Sequence, residues 1–231
     1  MIDIHTHILN DVDDGAQGIE ESIEMLKEQE KQGVTDCILT PHFKRHGEEK
    51  QKFIENQFSK LLERTKQEGI NINLYLGKEV YYKEQILELE EQLCINKTPY
   101  VLVEFSTRVD PAIDDAIYNF KVLKLKPIIA HVERYEYLKK DDYSKLKRTG
   151  AMLQLNAAAI IGTEGFKRKK LAKYLLKNEL IDIIASDSHN MLKRRPNLLK
   201  AYNIVTKKYG RAYADKLFID NPKKIIEAIN Q

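Results

Sequence analysis

Hydrophobic residues in this chain fall into two alternating kinds of segment. Short apolar runs rich in β-branched residues recur near 1–5, 34–40, 72–78, 100–104, 127–131, 151–156 and 181–186. Between them lie charged stretches whose apolar positions repeat at helical spacing: 18–32, 49–68, 84–93, 111–124, 141–149, 167–178 and 197–208. Strands that alternate with helices imply βα units and a parallel sheet. Several strand runs are almost continuously apolar, among them Pro127-Ile128-Ile129-Ala130 and Ile181-Asp182-Ile183-Ile184-Ala185. Such runs suit strands covered on both faces. Seven βα units predict an α/β fold of distorted, TIM-like barrel type, closed or nearly so. An open doubly wound sheet is the other arrangement this alternation allows.

Local signals agree with that division. Glu20, Glu21 and Glu24 load the first turns of the 18–32 segment, where acids complement the positive end of a helix. Gly33 follows as its expected C-cap, and the pairs Gly33-Val34 and Gly69-Ile70 read as helix-to-strand handovers. The basic run Lys167-Arg168-Lys169-Lys170 is expected to form a solvated helix face.

The chain has 231 residues, which predicts one domain spanning 1–231. Lys plus Arg number 38 and Asp plus Glu 35, so the net charge is only +3 and gives no global drive toward nucleic acid or membrane. No run approaches the roughly 18 apolar residues of a spanning helix. The opening MIDIHTH lacks the basic and apolar regions of a signal peptide. Two cysteines, Cys37 and Cys94, stand far apart without a partner motif, which suits free thiols in a reducing cytoplasm.

The chemistry concentrates at the strand ends. Of the six histidines, His5, His7, His42, His131 and His189 end or follow β-rich runs, and only His46 does not. Glu79, Glu104 and Asp187 occupy the same kind of position. In a parallel barrel all strand C-termini point to one rim, so residues some 180 positions apart converge there. A single histidine after a strand is more often structural. Eight such residues over six of seven strand ends are hard to explain by packing, because buried acids are almost always paired or metal-bound. The donors are nitrogen and oxygen with no thiolate, which fits zinc, iron or manganese of a catalytic site. Eight ligands exceed one ion and suit two or three divalent ions with bridging carboxylates. Such a cluster would lower the pKa of bound water to about 7 and stabilise phosphoryl oxygens in an in-line displacement. Arginine forks at the rim would add phosphate donors: Arg134 lies just beyond His131, and Arg194 and Arg195 just beyond His189.

Other phosphatase chemistries fail on spacing. Six positions after Cys37 stands Phe43 and six after Cys94 stands Tyr100, so neither cysteine has the arginine of a cysteine phosphatase loop. The run Asp11-Val12-Asp13-Asp14-Gly15 lacks the residue pattern of an aspartyl-phosphate nucleophile. It reads as a loop at the metal site, with Asp14 as ligand or ligand orienter, or as a plain turn. Gly162-Thr163-Glu164-Gly165 is too short for a nucleotide loop.

Taken in order, Met1-Ile2-Asp3-Ile4-His5-Thr6-His7, Asp11-Val12-Asp13-Asp14-Gly15, Thr40-Pro41-His42, Val103-Glu104-Phe105, Ile129-Ala130-His131-Val132-Glu133-Arg134, Ala185-Ser186-Asp187-Ser188-His189-Asn190 and Phe218-Ile219-Asp220-Asn221-Pro222 resemble the PHP (polymerase and histidinol phosphatase) superfamily. Within it the chain is most similar to the capsular and exopolysaccharide-cluster tyrosine phosphatases of Gram-positive bacteria. The resemblance implies a distorted barrel and a manganese-preferring, usually trinuclear cluster. It implies a cytoplasmic enzyme whose substrate is the tyrosine-phosphorylated bacterial kinase controlling polysaccharide export. Carried over by motif, the metal ligands are His5, His7, His42, Glu79, Glu104, His131, Asp187 and His189, with Arg134 and Arg194 on phosphate. One departure is Lys193-Arg194-Arg195-Pro196: spacing from Asp187 selects Arg194, whereas an Arg-Pro pairing selects Arg195. The loop after His42 is also expected to be short. Competing readings are a histidinol-phosphate type phosphatase, a proofreading-type exonuclease and a non-catalytic metal-binding or kinase-docking module. Near-neutral charge and the lack of an aromatic stacking platform oppose the exonuclease.

Overall fold

The computed structural model describes residues 1–43 and 47–231. His46 and most of the short loop expected after His42 lie outside the described residues. The strands are β1 (Ile2–Thr6), β2 (Asp36–Leu39), β3 (His42–Phe43), β4 (Asn73–Leu76), β5 (Glu79–Tyr81), β6 (Tyr100–Glu104), β7 (Lys126–Ile129), β8 (Met152–Asn156) and β9 (Ile183–Ala185). All pair in parallel, in the orders β1-β2-β4 and β3-β5-β6-β7-β8-β9.

The two sheets are arcs of one ring. The strands expected at 34–40 and 72–78 stop at Leu39 and Leu76, and each resumes after a two-residue break, beyond its expected end, as β3 and β5. Pro41 lies in the first break and cannot donate to a ladder. Gly77 lies in the second, where a Cβ would stand 2.7 Å from Ile38 Cγ2. Gly77 N still donates to Leu39 O at 2.8 Å and Glu79 N to Pro41 O at 3.1 Å, which carries the pairing across both breaks. On the far side, β9 meets β1 through one parallel bridge, Thr6 with Ser188. Asp187 N donates to His5 O at 2.9 Å and His7 N to Ser188 O at 2.8 Å. The ring is therefore a distorted barrel, as the seven-unit alternation predicts, drawn shut by a few hydrogen bonds rather than a full ladder.

Helices α1 (Ile19–Lys31), α2 (Glu48–Gln67), α3 (Glu90–Leu93), α4 (Ile113–Val122), α5 (Lys140–Arg148), α6 (Ala157–Ile161), α7 (Phe166–Lys177) and α8 (Leu198–Tyr209) fill the connections. Gly33 and Gly69 follow α1 and α2 with φ of 80° and 65°, the left-handed conformation that ends a helix. The 84–93 stretch is not one α-helix. It is a 3₁₀ segment, Glu84–Leu89, and then the single turn of α3, with Ile86 and Leu93 buried. Beyond 208, where the periodicity gave no element, the chain adds α9 (Arg211–Asp215), a π-turn (Lys216–Asp220) and α10 (Asn221–Ile229).

Strand alternation sorts the core. Val101, Val103, Leu153 and Leu155 pack outward against helices. Tyr100, Leu102, Ile128, Ala130, Ile183 and Ala185 fill the barrel, where Ile225 and Ile226 of α10 join Ile2 in the same cluster. Burial of both faces is why these strands are apolar throughout. Along β6, Glu104 lies on the side of Leu102 and Tyr100, so the alternation that fills the barrel also aims this carboxylate inward. In β1 the register slips between Asp3 and Thr6, next to His5. Such an irregularity re-aims a side chain, and it lets Ile4 and His5 both serve the interior.

Candidate metal centre

Imidazoles and carboxylates from across the chain meet at the C-terminal mouth of the barrel. The Nε2 atoms of His5 and His7 lie 3.3 Å apart. Glu79, at the start of β5, stands at the centre and is 1% exposed. Its Oε2 lies 3.3 Å from His5 Nε2, 3.2 Å from His7 Nε2 and 3.0 Å from His42 Nδ1. Its Oε1 lies 2.9 Å from His131 Nε2. Glu104 Oε1 is 3.5 Å from the same His131 nitrogen. Asp187 Oδ1 lies 3.5–3.6 Å from nitrogens of His5, His7 and His189. At the outer edge, the exposed Asp14 places Oδ1 3.3 Å from His42 Nε2 and 3.5 Å from His189 Nε2.

Among the described residues these side chains form three overlapping sets: His5, His7 and Asp187; His42, Glu79 and Glu104; and His7, Asp14, His42 and His189. Within each set the donor atoms lie within 4.8 Å of one another. Shared His7 and His42 link the sets into a chain.

The arrangement fits cations better than it fits itself. One carboxylate oxygen faces three imidazole nitrogens, and two Nε2 atoms face each other. His189 Nε2 is buried and has no hydrogen-bond partner among the described residues. Burial and neighbouring His7 push the His189 imidazole down to about 2, leaving it the neutral form that ligates metal. His7 goes the other way: burial opposes its charge, yet Asp13 and Glu79 push it up to about 10. Burial also opposes ionisation of Asp187, but His5, Arg134 and Arg194 hold its carboxyl well below the usual carboxylate range. Buried charge of both signs at this density marks a functional cluster.

Of the two adjacent arginines, Arg194 reaches the cluster. Asp187 Oδ2 accepts from Arg194 Nη2 at 2.7 Å and pairs with Arg134 Nη1 at 2.8 Å. Arg195 is exposed; it lines the groove beside the cluster and the small cavity that holds Asp187 and Arg194, and among the described residues no ion pair joins it to Asp187. Arg134 is further held by Glu164 Oε1 at 2.6 Å.

A family model for capsular polysaccharide synthesis, CpsB/CapC, matches residues 1–227. The chain belongs to the CpsB/CapC family. It is 36% identical to the tyrosine-protein phosphatase CpsB of Streptococcus pneumoniae, with 98% of each chain covered. It is 33% identical to the putative tyrosine-protein phosphatase CapC of Staphylococcus aureus, over 98% of this chain and 91% of that one. It also superposes with a TM-score of 0.84 and 28% identity on a solved chain from the YwqE and CpsB structures of Bacillus subtilis and Streptococcus pneumoniae, described as unique metal-dependent tyrosine phosphatases. That match covers 100% of this chain and 94% of that one.

In this CpsB/CapC chain the eight donors expected at strand ends all reach one cluster, and Asp14 joins them. Three residues were not anticipated in any role. Asp13 Oδ2 accepts from His7 Nδ1 at 2.7 Å and from His42 N at 3.0 Å, so the neighbour of Asp14 is what orients His7. Gln154 Oε1 faces His5 Nδ1 at 3.1 Å and accepts from His131 N at 2.8 Å, which leaves His5 Nε2 for the cluster. Asn156 Nδ2 donates to Asp187 Oδ2 at 2.8 Å, and Asn156 Oδ1 accepts from Gln154 Nε2 at 2.8 Å. The available signal was two amides spaced two apart in the otherwise apolar β8. Backbone conformation adds another surprise. His131 and Asp187 have φ of 31° and 51°, a left-handed geometry costing about 1–3 kcal/mol each that persists where function requires it.

Proposed function

We propose that this chain, working as one PHP-type phosphoesterase unit over 1–231, is a metal-dependent protein-tyrosine phosphatase. Its substrate is the tyrosine-phosphorylated bacterial kinase that regulates capsular or exopolysaccharide synthesis, in the cytoplasm. The observation that carries this reading is the convergence of His5, His7, His42, Glu79, Glu104, His131, Asp187 and His189 beside Arg134 and Arg194, in a chain whose relatives are tyrosine-protein phosphatases.

Those eight residues, with Asp14, would hold two or three divalent ions. Manganese is the proposed metal, with iron and zinc compatible with the same nitrogen and oxygen donors. Such ions supply an activated water at neutral pH and neutralise the phosphoryl oxygens. The protein's part is positioning. Asp187 turns Oδ1 toward the imidazoles and Oδ2 toward Arg134, Arg194 and Asn156, so one carboxylate fixes ligands and phosphate donors together. Arg134 is mostly buried and paired with Glu164, while the Arg194 side chain is 35% exposed at the mouth, where a phosphotyrosine enters. Each fork keeps N–H groups for phosphate, and bidentate capture orients the ester. Asp14, at 63% exposure, is the acid best placed to exchange protons with solvent beside His42 and His189.

The test is a comparison of kcat/KM in Mn²⁺ for a phosphotyrosine peptide, histidinol phosphate and single-stranded DNA. The phosphotyrosine peptide is expected to lead by at least about a hundredfold. Faster turnover of histidinol phosphate would replace the proposal with the small-molecule alternative.

A further inference from the structure

A groove of about 510 Å³ runs beside the cluster, between the 190–197 segment, the Ile161–Thr163 turn, and the ends of α1 and α8. A smaller cavity of about 160 Å³ contains Asp187 and Arg194 and shares Thr163, Lys193, Arg195 and Asn197 with the groove as walls. The groove thus adjoins the cavity where Arg194 sits.

Its walls are fixed. Asn190 Oδ1 accepts from the backbone N–H groups of Leu192, Lys193 and Arg194 at 3.1, 2.9 and 3.2 Å. From α1, Gln32 Nε2 donates to Pro196 O at 2.9 Å, and Gln32 Oε1 accepts from Leu199 N at 3.2 Å. What this frame displays is positive. Lys193, Arg195 and Lys200 are exposed on the groove, and among the described residues no ion pair involves any of them. The single acid on its walls, Glu28, already accepts from Gln32 Nε2 at 2.9 Å. In the adjoining cavity Glu164 and Asp187 are engaged by Arg134 and Arg194. Leu192, 85% exposed, adds an apolar edge.

We infer that this groove binds the polypeptide flanking the phosphotyrosine and selects substrates with acidic residues there. The inference rests on the phosphatase reading above. An extended peptide advances about 3.3–3.6 Å per residue, so side chains within a few positions of a phosphotyrosine held at Arg194 lie over Lys193, Arg195 and Lys200. Complementary charge at such a rim sets partner choice more than raw affinity.

The experiment measures kcat/KM in Mn²⁺ on two phosphotyrosine peptides, with glutamate or lysine at the flanking positions, and on p-nitrophenyl phosphate, which has no flank. The variant Lys200→Glu, at a position that lines the groove and not the cavity holding Arg194, is compared with wild type. Wild type is expected to prefer the glutamate peptide by about tenfold, as several exposed ion pairs allow, and to lose most of that preference in about 0.5 M salt. The Lys200→Glu variant is expected to keep a preference of at most about threefold, with p-nitrophenyl phosphate turnover within about twofold of wild type. A wild type without the preference, a preference indifferent to salt, or a variant that keeps it in full would overturn the inference. Absence of turnover on all three substrates by wild type would instead defeat the phosphatase reading itself.

Discussion

Asp13 does not belong to the three donor sets, yet its carboxylate holds two of their members. Oδ2 accepts from His7 Nδ1 at 2.7 Å and His42 N at 3.0 Å, and Oδ1 accepts from Gly15 N at 2.9 Å. Gly15 packs so closely on His7 that a Cβ there would collide with the His7 carbonyl oxygen. Asp13→Ala therefore frees the His7 ring and unseats the backbone under His42. A hydrogen bond to a charged group contributes about 1.5–3 kcal/mol. Loss of a partner that orients a metal-ligating histidine costs about 10–100-fold in metal affinity or activity, or about 1.4–2.7 kcal/mol. The two ranges agree. The assay is a Mn²⁺ titration of phosphotyrosine-peptide hydrolysis, with thermal unfolding as a check on the fold. The half-activating Mn²⁺ concentration is expected to rise about 10–100-fold, with a smaller drop in rate at saturating metal. A concentration within about twofold of wild type would show that Asp13 does not orient a ligand.

Further consequences can be checked separately. On p-nitrophenyl phosphate, Arg194→Ala should lower kcat/KM by about 10–100-fold, as loss of a charged hydrogen bond requires, while Arg195→Ala stays within about threefold; equal losses would refute the assignment of Arg194. Tyr135 Oη donates to Ala130 O at 2.9 Å and accepts from Phe105 N at 3.1 Å, joining the ends of β6 and β7 beside Glu104 and His131. Tyr135→Phe should cost about 1–3 kcal/mol in urea unfolding, since both buried groups lose their partner, and an unchanged midpoint would contradict this. Burial, reinforced by Glu164, pushes the Glu133 carboxyl up from 4.5 to about 8. The folded state then binds a proton that the unfolded state has released, so this group's stabilisation is full below about pH 4.5 and is lost as pH rises toward 8. Glu133→Gln should flatten that decline in the metal-free protein, and an identical pH profile would exclude Glu133 as its source.

Much of the barrel was legible because both faces of its strands are buried, which leaves runs such as Ile128-Ile129 unmistakable. The broken strands were not, since a run of apolar residues reads the same whether or not Pro41 and Gly77 interrupt its ladder. Nor was the C-terminal π-turn and α10, whose register depends on where Ile225 and Ile226 meet the barrel floor. At the site, histidines and acids at strand ends stood out because such residues are rarely buried without a reason. Asp13 was overshadowed by Asp14: in a run of acids, spacing alone does not say which one faces His7. Gln154 and Asn156 were hidden because amides inside a strand carry no chemistry of their own. Their meaning emerges only when His5, His131 and Asp187 are seen beside them.

On the proposed function, one cluster of imidazoles and carboxylates binds cations and phosphotyrosine hydrolysis depends on them. The direct measurement is phosphate release from a phosphotyrosine peptide by chelator-stripped, dialysed protein, followed by stepwise return of Mn²⁺ with metal bound per chain determined at each step. Activity should vanish on stripping and return as two or three ions bind, and His5→Ala or Asp187→Ala should bind fewer ions and stay inactive while folded. Undiminished turnover by the stripped protein, or by either variant, would contradict the account.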